Sequence, residues 1–112
     1  MEFDKTLLAG STGLMLLKLL PERDMYGYQM IDELRRRSDH TFDLKAGTLY
    51  PLLHTLEQKG FITAYESAAA GRVRRIYRLT DSGKKRLAEK ESEWNAYTAA
   101  VAKFLKGGVC FG

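Results

Sequence analysis

Four arginines fall within eight residues, Gly71-Arg72-Val73-Arg74-Arg75-Ile76-Tyr77-Arg78, with no acid among them. A guanidinium fork matches the oxygens of a phosphate, so arginines clustered beside an aromatic suit phosphate binding. A solvated surface strand is the plainer alternative. A second pattern lies just upstream. Leu49, Leu52, Leu53 and Leu56 recur at helical spacing. At about 100° per residue, the opposite face carries Gly47, Pro51, His54, Thr55 and Gln58, flanked by Thr48 and Tyr50. An ordinary solvated face would be richer in Glu and Lys; this one is uncharged and can form hydrogen bonds. Glutamine, for example, pairs bidentately with adenine. Tyr50 borders the leucine stripe, so a core role with a partnered hydroxyl competes with DNA contact. His54 lies opposite the stripe, which argues against a core role.

Catalytic chemistry has little to work with. His40 and His54 are the only histidines, and Cys110 is the only cysteine. No nucleophile and base fall together, and there is no phosphate-binding glycine loop, dinucleotide fingerprint or metal-ligand spacing. No enzyme activity, cofactor or metal is expected. A single cysteine excludes an internal disulfide and a Cys-based zinc site, and fits a reducing, cytoplasmic setting. Cys110 is either a redox sensor or an inert thiol. The longest apolar run, Leu14 to Leu17, is broken by Lys18. No membrane span is expected, and the N-terminus does not read as a signal peptide.

The chain has 112 residues, 45% hydrophobic and 29% charged, which is the composition of one globular domain. Its net charge of +4 is uneven. Residues 1–34 hold 3 basic and 6 acidic side chains, residues 35–78 hold 9 and 4, and residues 79–112 hold 6 and 4. The basic excess is therefore central, where the arginines lie.

The elements that must position these groups follow from periodicity and punctuation. A first helix over residues 5–20 is apolar nearly all round and needs cover on several sides, part of it from a second subunit. Pro21 stops it. A second helix over 25–38 has Asp24 as cap, Gly27, Met30, Ile31 and Leu34 inward, and Arg35-Arg36-Arg37 in its last turn. Those three cations complement the helix dipole or contact DNA. A polar connector, Ser38 to Asp43, leads to the third helix, 46–59, with Pro51 near its start and Gly60 as its stop. A start before Gly47 implies a local distortion at Pro51. Two strands follow, Phe61 to Ser67 and Val73 to Leu79, joined by Ala68-Ala69-Ala70-Gly71. Val73, Tyr77 and Leu79 alternate onto one face, and Arg74 and Arg78 onto the other. Thr80 caps a last helix over 81–106. In it Leu87, Trp94 and Val101 repeat at seven residues, with Tyr97 and Phe104 three residues after the last two. Lys90 interrupts this heptad seam, which has no internal partner of comparable length and so predicts pairing between two chains.

Three helices and a two-stranded ribbon make a winged helix-turn-helix: mainly α with a small β-hairpin, plus a long C-terminal dimerisation helix. The expected division is a DNA-binding domain over 1–80, the dimerisation helix over 81–106 and a mobile tail over 107–112. In this geometry the third helix reads the major groove while the ribbon holds the backbone.

At this level the chain resembles the PadR-like transcriptional regulators. The similarity is carried by Gly47-Thr48-Leu49-Tyr50-Pro51-Leu52-Leu53-His54-Thr55-Leu56-Glu57-Gln58-Lys59-Gly60-Phe61-Ile62, by Tyr26-Gly27-Tyr28, and by Gly71-Arg72, Tyr77-Arg78-Leu79-Thr80 and Gly83. The single last helix is similar to the short subfamily. The resemblance implies a homodimeric repressor on a palindromic double-stranded operator, with the first and last helices as dimer interface. Tyr50 and Pro51 match the recognition-helix pair, and Gly71, Arg72, Tyr77 and Arg78 match the wing. Trp94 matches a tryptophan that stacks on planar ligands between subunits in multidrug-sensing members; simple dimer packing is its other role. Asp43-Leu44-Lys45-Ala46 departs from the Ser or Pro expected near the third helix's start, leaving Asp43 as its cap.

The resulting DNA-contact set is Tyr28, Lys45, Thr48, Tyr50, Pro51, His54, Thr55, Gln58, Arg72, Arg74, Arg75 and Arg78. The set for dimer interface or a small hydrophobic or aromatic effector is Leu7, Leu8, Met15, Leu87, Trp94, Tyr97, Val101 and Phe104. Met15, Tyr97 and Phe104 fit the core better than a pocket. The competing function is a winged helix used for protein contacts, which needs an exposed apolar anchor on the outer face of 47–58, where none is evident. RNA binding is weaker still, because it needs a sheet with exposed stacking aromatics.

Overall fold

The computed structural model describes residues 3–107. Its elements are α1 (Lys5–Leu19), β1 (Met25–Tyr26), α2 (Gly27–Arg37), α3 (Ala46–Gln58), β2 (Ile62–Ala69), β3 (Arg72–Leu79) and α4 (Asp81–Leu105). The three antiparallel strands lie in the order β1-β3-β2. The C-terminal tail with Cys110 lies outside the described residues.

The core forms where the apolar faces of these elements converge. Leu16, Leu17, Leu19 and Leu20 of α1 and its end meet Met30 of α2, Leu49 and Leu53 of α3, and Met25, Ile62, Tyr77 and Leu79 of the sheet. The leucine stripe of α3 thus faces inward, and its polar face is left outside. Gly60, at φ 81°, ends α3: its N–H donates to the Glu57 carbonyl, and that of Phe61 to the Leu56 carbonyl. The chain then turns directly into β2.

Three expectations about the sheet and its surroundings are corrected. Asp24 does not cap α2, because its carboxylate accepts the Tyr65 hydroxyl at 2.7 Å and pairs with Arg78 at 3.4 Å. Residues 25 and 26 are not helical: Met25 and Tyr26 pair with Tyr77 and Ile76, making the ribbon three-stranded at its base. Gln29 accepts the Tyr26 N–H instead and helps α2 begin at Gly27. The hairpin is also tighter than four residues. Ala70 at φ 53° and Gly71 at φ 76° form a two-residue turn, and the strands extend into the alanines. Val73 shares the face of Tyr77 and Leu79 but is exposed, since the ribbon tip projects beyond the core. Tyr26 and Tyr65 do decorate the outer sheet face. The Arg74 guanidinium stacks 4.4 Å over the Tyr26 ring, while Arg78 lies 5.8 Å from the ring of Tyr65, which stays exposed.

The connector between α2 and α3 also differs from a simple polar loop. Asp39 (φ 51°) and His40 (φ 65°) are consecutive left-handed residues. That conformation costs about 1–2 kcal/mol per residue, although Asp and His tolerate it better than most. The Ser38 hydroxyl accepts the Phe42 N–H at 2.9 Å, and the Phe42 ring packs 5.9 Å from that of Phe3. Asp43 does not cap α3: the N-cap is Lys45, and Asp43 pairs with the Lys45 ammonium at 3.6 Å. α3 starts at Ala46 and runs through Pro51 to Gln58.

Arg36 and Arg37 both bind Glu33, which is only 7% exposed, and Arg37 also makes a two-pronged pair with Glu22 at 2.6 and 2.8 Å. The arginine triplet is therefore tied to acids, with Arg35 on Asp32. The Arg36 hydrogen bond holds the Glu33 carboxyl below its ordinary 4.5, and Arg37 does the same for Glu22. For depressed carboxyls, this contribution is fully present above the ordinary value and is lost as pH falls through the folded one. The thermal midpoint should hold between pH 7 and about 5 and drop on further acidification. Glu33→Gln should lower the neutral plateau and flatten that drop; circular dichroism melts against pH measure both.

Candidate nucleic-acid interface

The outward residues of α3, namely Thr48, Tyr50, Pro51, His54, Thr55 and Gln58, lie along one uncharged face open to solvent. Thr55 donates its hydroxyl to the Pro51 carbonyl at 3.1 Å, which leaves its lone pairs outward. Tyr50, 41% exposed, leans over the first turn of α2. A Cβ on Gly27 would sit 2.3 Å from the Tyr50 hydroxyl oxygen, so the glycine makes room for the phenol. Burial, then the neighbouring Tyr77 and Tyr28, push the Tyr50 phenol above 10.0. At neutral pH it is a protonated donor.

Beside this face runs a cleft of about 530 Å³, walled by Tyr26, Tyr28 and Tyr50 on one side and by Arg72 to Arg75 of β3 on the other. It is open and mixed in polarity, and Tyr28 stands exposed at its rim. The four wing arginines differ within it. Arg72 is exposed with no ion pair among the described residues, and Arg74 stacks on Tyr26 with no carboxylate beside it. Arg75 points the other way along the strand and binds Glu57 of α3 at 2.7 Å, which raises its pKa. Arg78 is paired with Asp24 on the outer sheet face and does not line the cleft. Lys45 extends into solvent near the start of α3. The grouped arginines thus resolve into two unpaired cations at the cleft and two held by acids. Sequence reasoning missed Glu57 as a partner, and missed Tyr26 as the platform under Arg74. Tyr26 was signalled only by its place in Tyr26-Gly27-Tyr28.

A second surface lies along α4 and the outer side of α1. Trp94 and Val101 are each 37% exposed and Phe104 82%, with Tyr97 and Leu105 also exposed. Tyr97 and Phe104 are therefore not core residues of this chain, and Met15 is only half-buried. Leu7 is exposed and Leu8 half-buried. Leu87, only 8% exposed, packs in the chain's own core, unlike the other residues of this set. Trp94 lines two apolar cavities, one of about 360 Å³ with Gly10, Leu14 and Tyr97, and one of about 200 Å³ with Leu7, Leu8 and Phe42. Lys90, which breaks the heptad, joins Glu93 at 3.1 Å on the rim of the larger one. Among the described residues no His, Cys, Asp and Glu group is placed to hold a metal, and no helix is long and apolar enough to cross a membrane.

The transcriptional regulator PadR-like family matches residues 16–89. A transcriptional regulator of Mycobacterium tuberculosis is 36% identical over 76 residues, covering 68% of each chain. A transcriptional regulator from Clostridium thermocellum superimposes with a TM-score of 0.83 at 31% identity, over 88% of this chain and 97% of that one. A PadR family transcriptional regulator from Eggerthella lenta gives 0.80 at 32% identity, over 91% and 88%.

Proposed function

Because the chain belongs to the PadR-like family of transcriptional regulators, we propose that it is a homodimeric repressor, bound to a palindromic operator and released by a small planar or aromatic effector between its subunits. Family membership makes it a DNA-binding regulator and not an enzyme. The observation that carries the reading is the pairing of an uncharged, solvent-facing α3 surface with unpaired Arg72 and Arg74 across one cleft. In this reading Thr48, Tyr50, His54, Thr55 and Gln58 meet base edges, with Pro51 against the groove wall. Lys45, Tyr28 and chiefly Arg72 and Arg74 of the wing hold phosphates, with Arg75 and Arg78 restrained by Glu57 and Asp24. Residues 1–80 bind DNA, and the helix over 81–106 dimerises.

The exposed Trp94, Tyr97, Val101, Phe104 and Leu105 supply the apolar surface that a second copy would bury, together with Leu7 and Leu8 of α1. The radius of gyration, 16.6 Å, supports this. A compact chain of this length would have about 13 Å, so the far half of α4 extends away from the body. An effector acts by favouring a dimer in which the recognition helices no longer match successive major grooves.

Fluorescence anisotropy with a labelled fragment from upstream of the gene tests the DNA reading. Affinity should fall steeply with salt, as phosphate neutralisation releases counterions. Insensitivity to salt would sink the arginine-wing argument. Sedimentation should give a dimer. Ligands that relieve DNA binding should quench Trp94, the only tryptophan. Glu57→Gln should release Arg75 and remove a negative charge near the cleft. It should tighten DNA binding several-fold at low salt and steepen the salt dependence by about one unit per protomer. Stability should change little, because water screens this partly exposed pair.

A further inference from the structure

Phe42 is an aromatic in an otherwise polar connector, and its ring does not join the helix-turn-helix core. It packs 5.9 Å from Phe3 and lines the smaller Trp94 cavity with Leu7, Leu8 and Ser11 of α1. Three residues later the chain reaches Lys45, the N-cap of α3, whose carbonyl accepts the Thr48 and Leu49 N–H groups at 3.0 and 2.9 Å. Behind Phe42 stand Asp39 and His40, both in the left-handed region, where ordinary side chains are disfavoured. The segment leading into α3 is therefore fixed by a strained turn at Asp39 and His40 and, just after it, by the Phe42 ring in the wall of a cavity that Trp94 also lines.

We propose that Phe42 is a positioning residue that ties the start of the recognition helix to the Trp94 cavity, so that filling the cavity displaces the ring and shifts the beginning of α3. Phe42 makes no DNA contact in this scheme and acts through Lys45 and Thr48. The Phe42 ring forms part of the cavity wall, so a body that fills the 200 Å³ presses on the ring, and the Asp39–His40 turn is the joint that yields. The linkage is reciprocal: whatever moves the start of α3 is felt at Trp94. This coupling is a property of the fold and needs no effector. Its consequence for operator affinity rests on the reading above, in which Leu7, Leu8 and Trp94 of the same cavity wall also face the second copy.

The test fills the cavity from within, using the full chain. Ser11→Met adds a flexible apolar side chain to the cavity wall, and Leu8→Phe does so from a second position if the first variant fails to fold. Hydrogen exchange at the Phe42, Thr48 and Leu49 amides is followed with Trp94 emission as a report that the cavity is filled. In the Phe42-containing chain the filled variant should shift the emission and speed exchange at these amides about tenfold. In the Phe42→Ala background the same filling should leave their exchange unchanged, giving a double-mutant cycle with clear coupling. An equal response with and without Phe42 overturns the proposal, as does an emission shift with no change in exchange. Neither result touches the DNA-binding reading, which the salt titration decides separately.

Discussion

Gly83→Ala is expected to destabilise the fold by about 3 kcal/mol or more, lowering the thermal midpoint by roughly 10–20 °C. A Cβ at this position would stand 1.9 Å from the Phe61 carbonyl oxygen, 2.9 Å from its carbon and 2.7 Å from the Leu79 Cδ1. The oxygen cannot swing aside cheaply, because it accepts the Thr80 N–H at 3.1 Å. The Thr80 hydroxyl donates to the Gly60 carbonyl at 2.6 Å and accepts the Gly83 N–H at 3.0 Å. One knot of backbone thus joins the end of α3, the start of β2 and the start of α4. Gly13→Ala serves as the control, since nothing outside its own stretch of helix backbone lies within 4 Å of its Cβ position. That change should stabilise α1 by about 0.5–1 kcal/mol through helix propensity. Circular dichroism melts compare the two; a Gly83→Ala midpoint within a few degrees of the parent would refute the packing argument.

The second large effect concerns the wing. Arg72→Ala/Arg74→Ala should weaken DNA binding about a hundredfold or more at moderate salt. It should reduce the salt dependence by about four units in a dimer, one for each phosphate left unneutralised. The informative comparison is Arg75→Ala/Arg78→Ala, which removes the same charge. Those guanidinium groups are held by Glu57 and Asp24, so their removal should matter far less. If the two double variants behave alike, net charge governs binding and the cleft has no special role. Neither pair should unfold the protein, because Arg72 is exposed and the stacking of Arg74 on Tyr26 contributes only about 0.5–1 kcal/mol.

What was legible in the sequence was what is local. The bounds of α3 could be read because the leucine stripe, Gly60 and the uncharged face are encoded within a few residues of one another. The Thr80 cap was equally local, and its hydroxyl accepts the Gly83 N–H. The missed features are made by partners far apart in the chain. β1 is two residues long and exists only through Tyr77 and Ile76, about fifty positions away. Asp24 looks like a helix cap until Tyr65, 41 residues on, claims its carboxylate. The four wing arginines look equivalent until strand alternation turns Arg75 toward Glu57 and Arg74 toward Tyr26. Leu87 and Trp94 share one heptad phase, yet the first is buried and the second half-open, because the core ends between them and Trp94 meets only the outer side of α1.

That last boundary has a mechanical meaning. α4 is clamped at Gly83 and Leu87, the only buried residues along it, and beyond them touches the body only through the Lys18–Glu91 pair and the open cavities that Trp94 and Tyr97 line with α1. Leu87 is then a fulcrum, and the helix from there to Leu105 is an arm about 27 Å long. A tilt of roughly 10° at the clamp sweeps the arm's tip through about 5 Å, more than the rise of one base-pair step. In the proposed dimer, two such arms crossed at their tips would work as calipers. In that proposed arrangement the span between the reading heads would be set by the arm's angle and length, and a small wedge near Trp94 would reset it without touching a residue proposed to meet DNA.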